Sequence, residues 1–97
     1  MVWVLYASWV ARPITEDSLK SLKGKVLLID VRSPSFVKRA PMGTTYNLPL
    51  TDIIAGYRPP DGYDYYITLS SCPKGGIAKR AAEILARRGL KAFYLVR

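Results

Sequence analysis

The chain has 97 residues, 49% of them hydrophobic and 23% charged, with 15 lysines and arginines against 7 acidic residues and a net charge of +8. That balance excludes a disordered chain and supplies one modest hydrophobic core, so a single domain over residues 1–97 is expected. One cysteine and no histidine exclude an internal disulfide, a Cys/His zinc or copper centre, and any Cys–His or Ser–His catalytic pair; no metal or cofactor is expected.

The positive charge favours anionic partners such as small oxyanions, acidic proteins or nucleic acid. The basic residues run from Arg12 to Arg97 without clustering, which describes a generally cationic surface. The absence of glutamine and the single asparagine fit a heat-adapted composition.

Met1 to Val10 is apolar but shorter than the ~20 residues that span a bilayer, and it lacks the basic start of a secretory signal. It reads as a buried first strand, broken at Arg12-Pro13-Ile14, in a soluble cytoplasmic protein. Thr15 is placed to cap a short helix with Glu16 and Asp17 in its first turn, Leu19 and Leu22 on one face, and Gly24 at its end. Val26 to Val31 is almost continuously apolar, as a strand covered on both faces would be. Asp30, within that run, needs a partner, and Arg32 or loop amides are the nearest candidates. A structural ion pair or cap is a better account of it than catalysis.

Ser33-Pro34 is a helix start, followed by Phe36 and Val37 and ended by Pro41 and Gly43. Tyr46 to Pro49 makes a brief strand closed by proline, and Thr51 caps a short turn through Ile53 and Ile54 to Gly56. Pro59-Pro60-Asp61-Gly62 is a turn leading into a strand over Tyr65–Leu69. From Ile77 to Arg88 the spacing is helical. Ile77, Ala78, Ala81, Ala82 and Leu85 form an apolar face, Glu83 and Arg87 a helix pair, and Gly89 the terminator. Leu90 to Val96 gives a last strand. Strands alternating with helices predict an α/β domain, a mostly parallel central sheet flanked by helices on both faces.

The functional signal is Ser70-Ser71-Cys72-Pro73-Lys74-Gly75-Gly76, the turn between the Tyr65–Leu69 strand and the last helix. In such sheets the functional crevice lies beyond the carboxyl ends of the strands. Gly75 and Gly76 let successive amides converge on an anion, and the helix dipole and Lys74 lower the pKa of a neighbouring thiol. A cysteine placed there is a candidate nucleophile rather than a buried packing residue. The glycines match neither the P-loop nor GxGxxG.

Three segments carry a family resemblance. Val26 to Pro34 resembles the LIDVR-x-P signature of rhodanese-like domains, Asn47-Leu48-Pro49-Leu50 resembles their N-I-P-L step, and Ile67 to Gly89 resembles their strand, active-site cysteine loop and following helix, with Ala82, Leu85 and Gly89 in the matching places. Leu90 to Leu95 corresponds to the next strand. The resemblance implies a small rhodanese-like domain and a sulfurtransferase that carries sulfane sulfur as a persulfide on Cys72. The donor would be thiosulfate or a persulfide, and the acceptor a thiol, cyanide or a sulfur-accepting protein. Amides of Lys74, Gly75, Gly76, Ile77 and Ala78 would bind the anionic sulfur, with Asp30 and Arg32 as structural support.

The loop departs from the family's usual C-R-x-G-x-R-S. Pro73, Ile77 and Ala78 stand in place of arginine, arginine and serine, so backbone amides and Lys74 must hold the anion. Related phosphatases grip phosphate with an arginine six positions after the cysteine; here that position is Ala78. The alternatives are a catalytically weak or inactive rhodanese-like binding module and, on charge alone, a nucleic-acid-binding domain using Tyr57-Arg58 and Tyr63, Tyr65 and Tyr66.

Overall fold

A computed structural model of the chain describes residues 9–43, 45–71 and 76–96. Nine elements follow one another: β1 (Arg12–Ile14), α1 (Glu16–Lys20), β2 (Val26–Asp30), α2 (Pro34–Arg39), β3 (Tyr46–Asn47), α3 (Leu50–Ala55), β4 (Tyr65–Leu69), α4 (Gly76–Arg87) and β5 (Ala92–Leu95). The strands form one five-stranded sheet in the order β1-β5-β4-β2-β3, and every pairing is parallel. The mostly parallel α/β sheet read from the sequence is therefore present.

Side-chain alternation along the central strands divides the core. Ile29, Tyr66 and Ala92 face α3 and α4, where they meet Ile53, Ala78, Ala81, Ala82 and Leu85. Ile67, Leu69 and Leu95 point the other way with Ile14, and Leu19 and Leu22 beside α1 pack against them. Helices thus cover both faces, and β4 is buried from Tyr66 to Leu69. The run of alanines on α4 gives it a small-residue face toward the sheet, fixed by Thr68 Oγ1 donating to the Ala78 carbonyl at 2.6 Å.

Local chemistry sets the ends of the elements. Thr15 Oγ1 accepts from Ser18 N at 3.2 Å and caps α1 as expected. At the end of α4, Leu90 N donates to Leu85 O and Gly89 N to Ala86 O, a Schellman pattern that turns on Gly89 at φ +92°. Gly24 (φ +123°) lies in the turn after α1, several residues beyond the helix it was expected to end, and a Cβ there would collide with the Asp64 carboxylate that accepts from Lys25 N.

Four expectations are corrected. The first described strand is Arg12–Ile14, the segment read as a break, and Met1 to Ser8 lie outside the described residues. Pro13 is tolerated because β1 is an edge strand, where one row of backbone groups needs no partner. Trp9 lies in no strand; its indole N–H donates to Ala92 O at 2.7 Å and its ring meets Phe93 edge-on at 5.2 Å. Thr51 is not a cap: α3 already starts at Leu50 behind Pro49, with no side-chain capping bond. Ile77 is 48% exposed rather than in the core, since at 3.6 residues per turn it stands roughly 140° round the helix from Ala82. Glu83 and Arg87 form no ion pair, and among the described residues Asp30–Arg32 is the only one; an exposed helix pair contributes only ~0.2–0.5 kcal/mol toward fixing two long side chains. Among the described residues no helix is long and apolar enough to cross a membrane.

Candidate active site

The strand order reverses between β2 and β4. The chain leaves β2 through α2 to reach β3 on one side, and leaves β4 through α4 to reach β5 on the other. At such a switch point the outgoing connections diverge and leave a crevice at the carboxyl ends. A cleft of about 370 Å³ lies there, bounded by Val31, Arg32 and Ser33 after β2, Phe36 of α2, Pro49, Leu50 and Thr51 at the start of α3, and Ser71 and Ile77 on either side of the cysteine loop.

The β2 side is held by a buried ion pair. Asp30 is fully buried and Arg32 is 7% exposed. Asp30 Oδ1 accepts from Arg32 N and Nε, both at 3.0 Å, and Oδ2 accepts from Arg32 Nη2 at 2.7 Å. The same Nη2 donates to the Ala40 carbonyl at 2.7 Å, which fastens the end of α2. The hydrogen bond to Asp30 raises the pKa of the Arg32 guanidinium, against the opposing effect of burial, so the guanidinium stays charged. Arg32 and Arg39 also lie 5.2 and 5.6 Å from the centre of the Phe36 ring. The segment leading into α3 is stitched to the same place: Leu48 N and Asn47 Nδ2 donate to Asp30 O, Asn47 Nδ2 to Arg32 O, and Leu50 N to Val31 O.

The β4 side ends at Ser70, whose hydroxyl is buried with no hydrogen-bond partner among the described residues, followed by exposed Ser71 on the cleft. Cys72, Lys74 and Gly75, the expected nucleophile and two of its expected anion-binding residues, lie outside the described residues, as does Pro73. Gly76, Ile77 and Ala78 form the first turn of α4, whose leading amides have no acceptor within the helix. That turn holds no acidic residue, in contrast to α1 with Glu16 and Asp17, so its positive end is not neutralised locally. Ile77 reaches the cleft, whereas Ala78 is fully buried with its carbonyl on Thr68.

Solved structures with the same arrangement share one description. A rhodanese homolog from the extremely thermophilic bacterium Thermus thermophilus superposes with a TM-score of 0.68 at 27% identity, over 88% of this chain and 93% of that one. A single-domain sulfurtransferase of Saccharomyces cerevisiae gives 0.64 at 28% identity, over 94% and 86%. The chain has a rhodanese-like fold. A rhodanese-related protein of Thermoplasma volcanium, at 19% identity and a TM-score of 0.70 over 88% and 83% of the chains, shares the fold. No family model and no curated protein matches the sequence.

The sequence reading anticipated the Asp30–Arg32 pair but missed the wall that faces it across the cleft. The sequence reading gives Phe36 to packing, Pro49 to the close of a strand, Leu50 to the Asn47–Leu50 match and Thr51 to a cap, and none of them to the site. The one available signal was Phe36, an aromatic just after the Ser33-Pro34 helix start, which is 41% exposed. Of the tyrosines offered as a base-stacking platform, Tyr57 is exposed, whereas the other three pack within the protein. Tyr66 is buried with its hydroxyl donating to Pro60 O at 3.0 Å, Tyr65 packs beside Trp9 and Phe93, and Tyr63 stands edge-on to Tyr66. Among the described residues no group of metal-ligating side chains is assembled.

Proposed function

We propose that this rhodanese-like chain is a sulfurtransferase in which Cys72 carries sulfane sulfur as a persulfide. The carrying observation is the cleft at the β2/β4 switch point, whose rim includes Ser71, the residue before Cys72, and Ile77 in the first turn of α4. The Cys72 thiolate attacks the outer sulfur of thiosulfate or a persulfide. A sulfur–sulfur bond to Cys72 forms, the donor's own sulfur–sulfur bond breaks, and sulfite or a thiolate departs with the electron pair. A thiol, cyanide or a protein thiolate then takes the terminal sulfur and restores the Cys72 thiolate.

This sequence of steps needs neither an imidazole base nor a metal, in keeping with a chain that has no histidine. Stabilisation of the anionic sulfur falls to backbone amides from Lys74 to Ala78 and to the positive end of α4. The Asp30–Arg32 pair acts as the brace that fixes the β2 wall, since its charges are spent on each other and on Ala40.

The deciding experiment is intact-mass measurement after incubation with thiosulfate or a low-molecular-weight persulfide, followed by addition of cyanide. Gain of one sulfur atom on Cys72 and its discharge to thiocyanate are expected. If no donor adds sulfur, and Cys72→Ala leaves turnover unchanged, the chain is a rhodanese-like binding module instead.

A further inference from the structure

We infer that the outer face of α3 is a docking surface for an acidic protein, which seats an apolar segment on Ile54 and Tyr57 and meets the arginines beside them. The surface lies outside the cleft, and the inference does not depend on the sulfurtransfer reading. Ile54 and Tyr57 are 55% and 64% exposed, more than any other large hydrophobic side chain among the described residues except Val10. Leu50, one turn before Ile54 on the same side of α3, lines the cleft with Phe36 and Ile77. An apolar strip thus leaves the cleft along α3. Its far end is held rigidly. Gly56 N donates to Ile53 O at 3.1 Å and Tyr57 N to Asp52 O at 3.0 Å, with Gly56 at φ +110°, which closes the helix and fixes the direction of residue 57. Such an ending usually folds an apolar side chain back onto the last turn. Here that turn offers Asp52, and the Tyr57 ring stands out in solvent instead. A tyrosine presented in this way supplies large contact area at small entropic cost, which is the property of an interface anchor.

Charge names the occupant. Arg58 follows Tyr57, and on α4 Ile77, Arg80, Ile84 and Arg87 recur at three- and four-residue spacing, which places them on one side of that helix. That side borders α3, since Ile77 shares the cleft with Leu50 and Arg88 Nη1 donates to Ile53 O at 2.7 Å. Arg58, Arg80 and Arg87 are exposed, and among the described residues the only ion pair is Asp30–Arg32, so all three charges are uncompensated. The acids of α3 and α4 are Asp52 and Glu83, both half-buried. A second copy of the chain brings the same net charge of +8 and the same arginines, and is repelled. A nucleic acid would pair its phosphates with the arginines but leave the aliphatic Ile54 and Ala55 uncovered, and Tyr57 alone makes no stacking platform. A protein that presents carboxylates around an apolar segment matches both halves of the surface.

The test selects binders to the wild-type protein from a random dodecapeptide library displayed on phage. Synthetic copies of the selected peptides are then titrated calorimetrically against the wild type, Ile54→Ser/Tyr57→Ser and Arg58→Glu/Arg80→Glu. All four positions are exposed, and circular dichroism checks that each variant keeps the fold. The selected sequences should carry acidic residues around an aliphatic or aromatic anchor. The first variant should weaken them by about tenfold or more, and the second should remove most of the loss of affinity that added salt causes in the wild type. Selection of no binder, or of binders that hold the Ile54→Ser/Tyr57→Ser variant as tightly as the wild type, overturns the inference. Two further arms examine the other occupants. A dimer in sedimentation that the first variant dissolves assigns the face to a second copy. Low-salt binding of a single-stranded RNA that the same variant abolishes assigns it to nucleic acid. Either result overturns the acidic-protein surface.

Discussion

Replacing Arg32 by alanine isolates the brace under the cleft. The substitution leaves the Asp30 carboxylate at 0% exposure with one remaining donor, the backbone amide of residue 32, where the side chain had supplied three contacts within 3.2 Å. It also strips the Ala40 carbonyl of its 2.7 Å partner and the Phe36 ring of one of its two cations. An uncompensated buried charge of this kind costs about 3–5 kcal/mol, a large part of the ~5–15 kcal/mol that holds a typical domain folded. Equilibrium urea unfolding of the wild type, Arg32→Ala, Asp30→Ala and the double variant measures it. Each single variant should be severely destabilised, and the double variant should be more stable than the sum of the two by about 1–3 kcal/mol. Arg32 adds no pH dependence of its own. A base whose folded pKa is raised stabilises at every pH below its unfolded value and loses that contribution only as pH climbs through the folded value. For Arg32 that window lies above the ordinary guanidinium range, so its contribution is constant across ordinary working pH. A single-variant loss under about 1 kcal/mol at unchanged m-value, or strict additivity, refutes the view that the pair braces β2.

Two further substitutions separate packing from chemistry on the β4 side. Thr68→Val keeps the shape of a fully buried residue but removes the donor to the Ala78 carbonyl. It should cost about 1 kcal/mol in urea unfolding and slow persulfide loading by loosening the start of α4; unaltered stability would show that the 2.6 Å bond does not anchor the helix. Ser70→Ala deletes a buried hydroxyl that has no partner among the described residues. Stability should hold or rise by up to about 1 kcal/mol, since an unsatisfied polar atom is removed, and a clear loss in thermal unfolding would mean the hydroxyl is bonded after all.

What the sequence disclosed followed from patterns that are local. The apolar run Val26–Val31 is a strand because it is covered on both faces, and the spacing Ala78, Ala81, Ala82, Leu85 is a helix face because 3.6 residues make a turn. Asp30 and Arg32 are two residues apart, so their pairing was readable without the fold. Pro13 was misjudged because a proline signals a break unless the strand lies at an edge, and edge position is a property of the sheet order. The far wall of the cleft was hidden for the same reason. Phe36 and Leu50 sit in separate helices, and they come to one cleft through hydrogen bonds that Leu48, Leu50 and Asn47 make to the end of β2.

Those bonds explain why the matching motifs match. The Asp30-Val31-Arg32 and Asn47-Leu48-Pro49-Leu50 segments meet each other, with the carbonyls of Asp30, Val31 and Arg32 all accepting from residues 47 to 50. Change in either segment would open the cleft, so both are construction. The departures at Ile77 and Ala78 are of two kinds. Ala78 is at 0% exposure beneath the start of α4, and its carbonyl bonds Thr68, so its side chain is part of the packing. Ile77 is half exposed on the cleft rim. Of the two, only Ile77 can alter what the cleft accepts without altering the packing of α4 on β4. A change at that position therefore bears on what binds and leaves that packing intact.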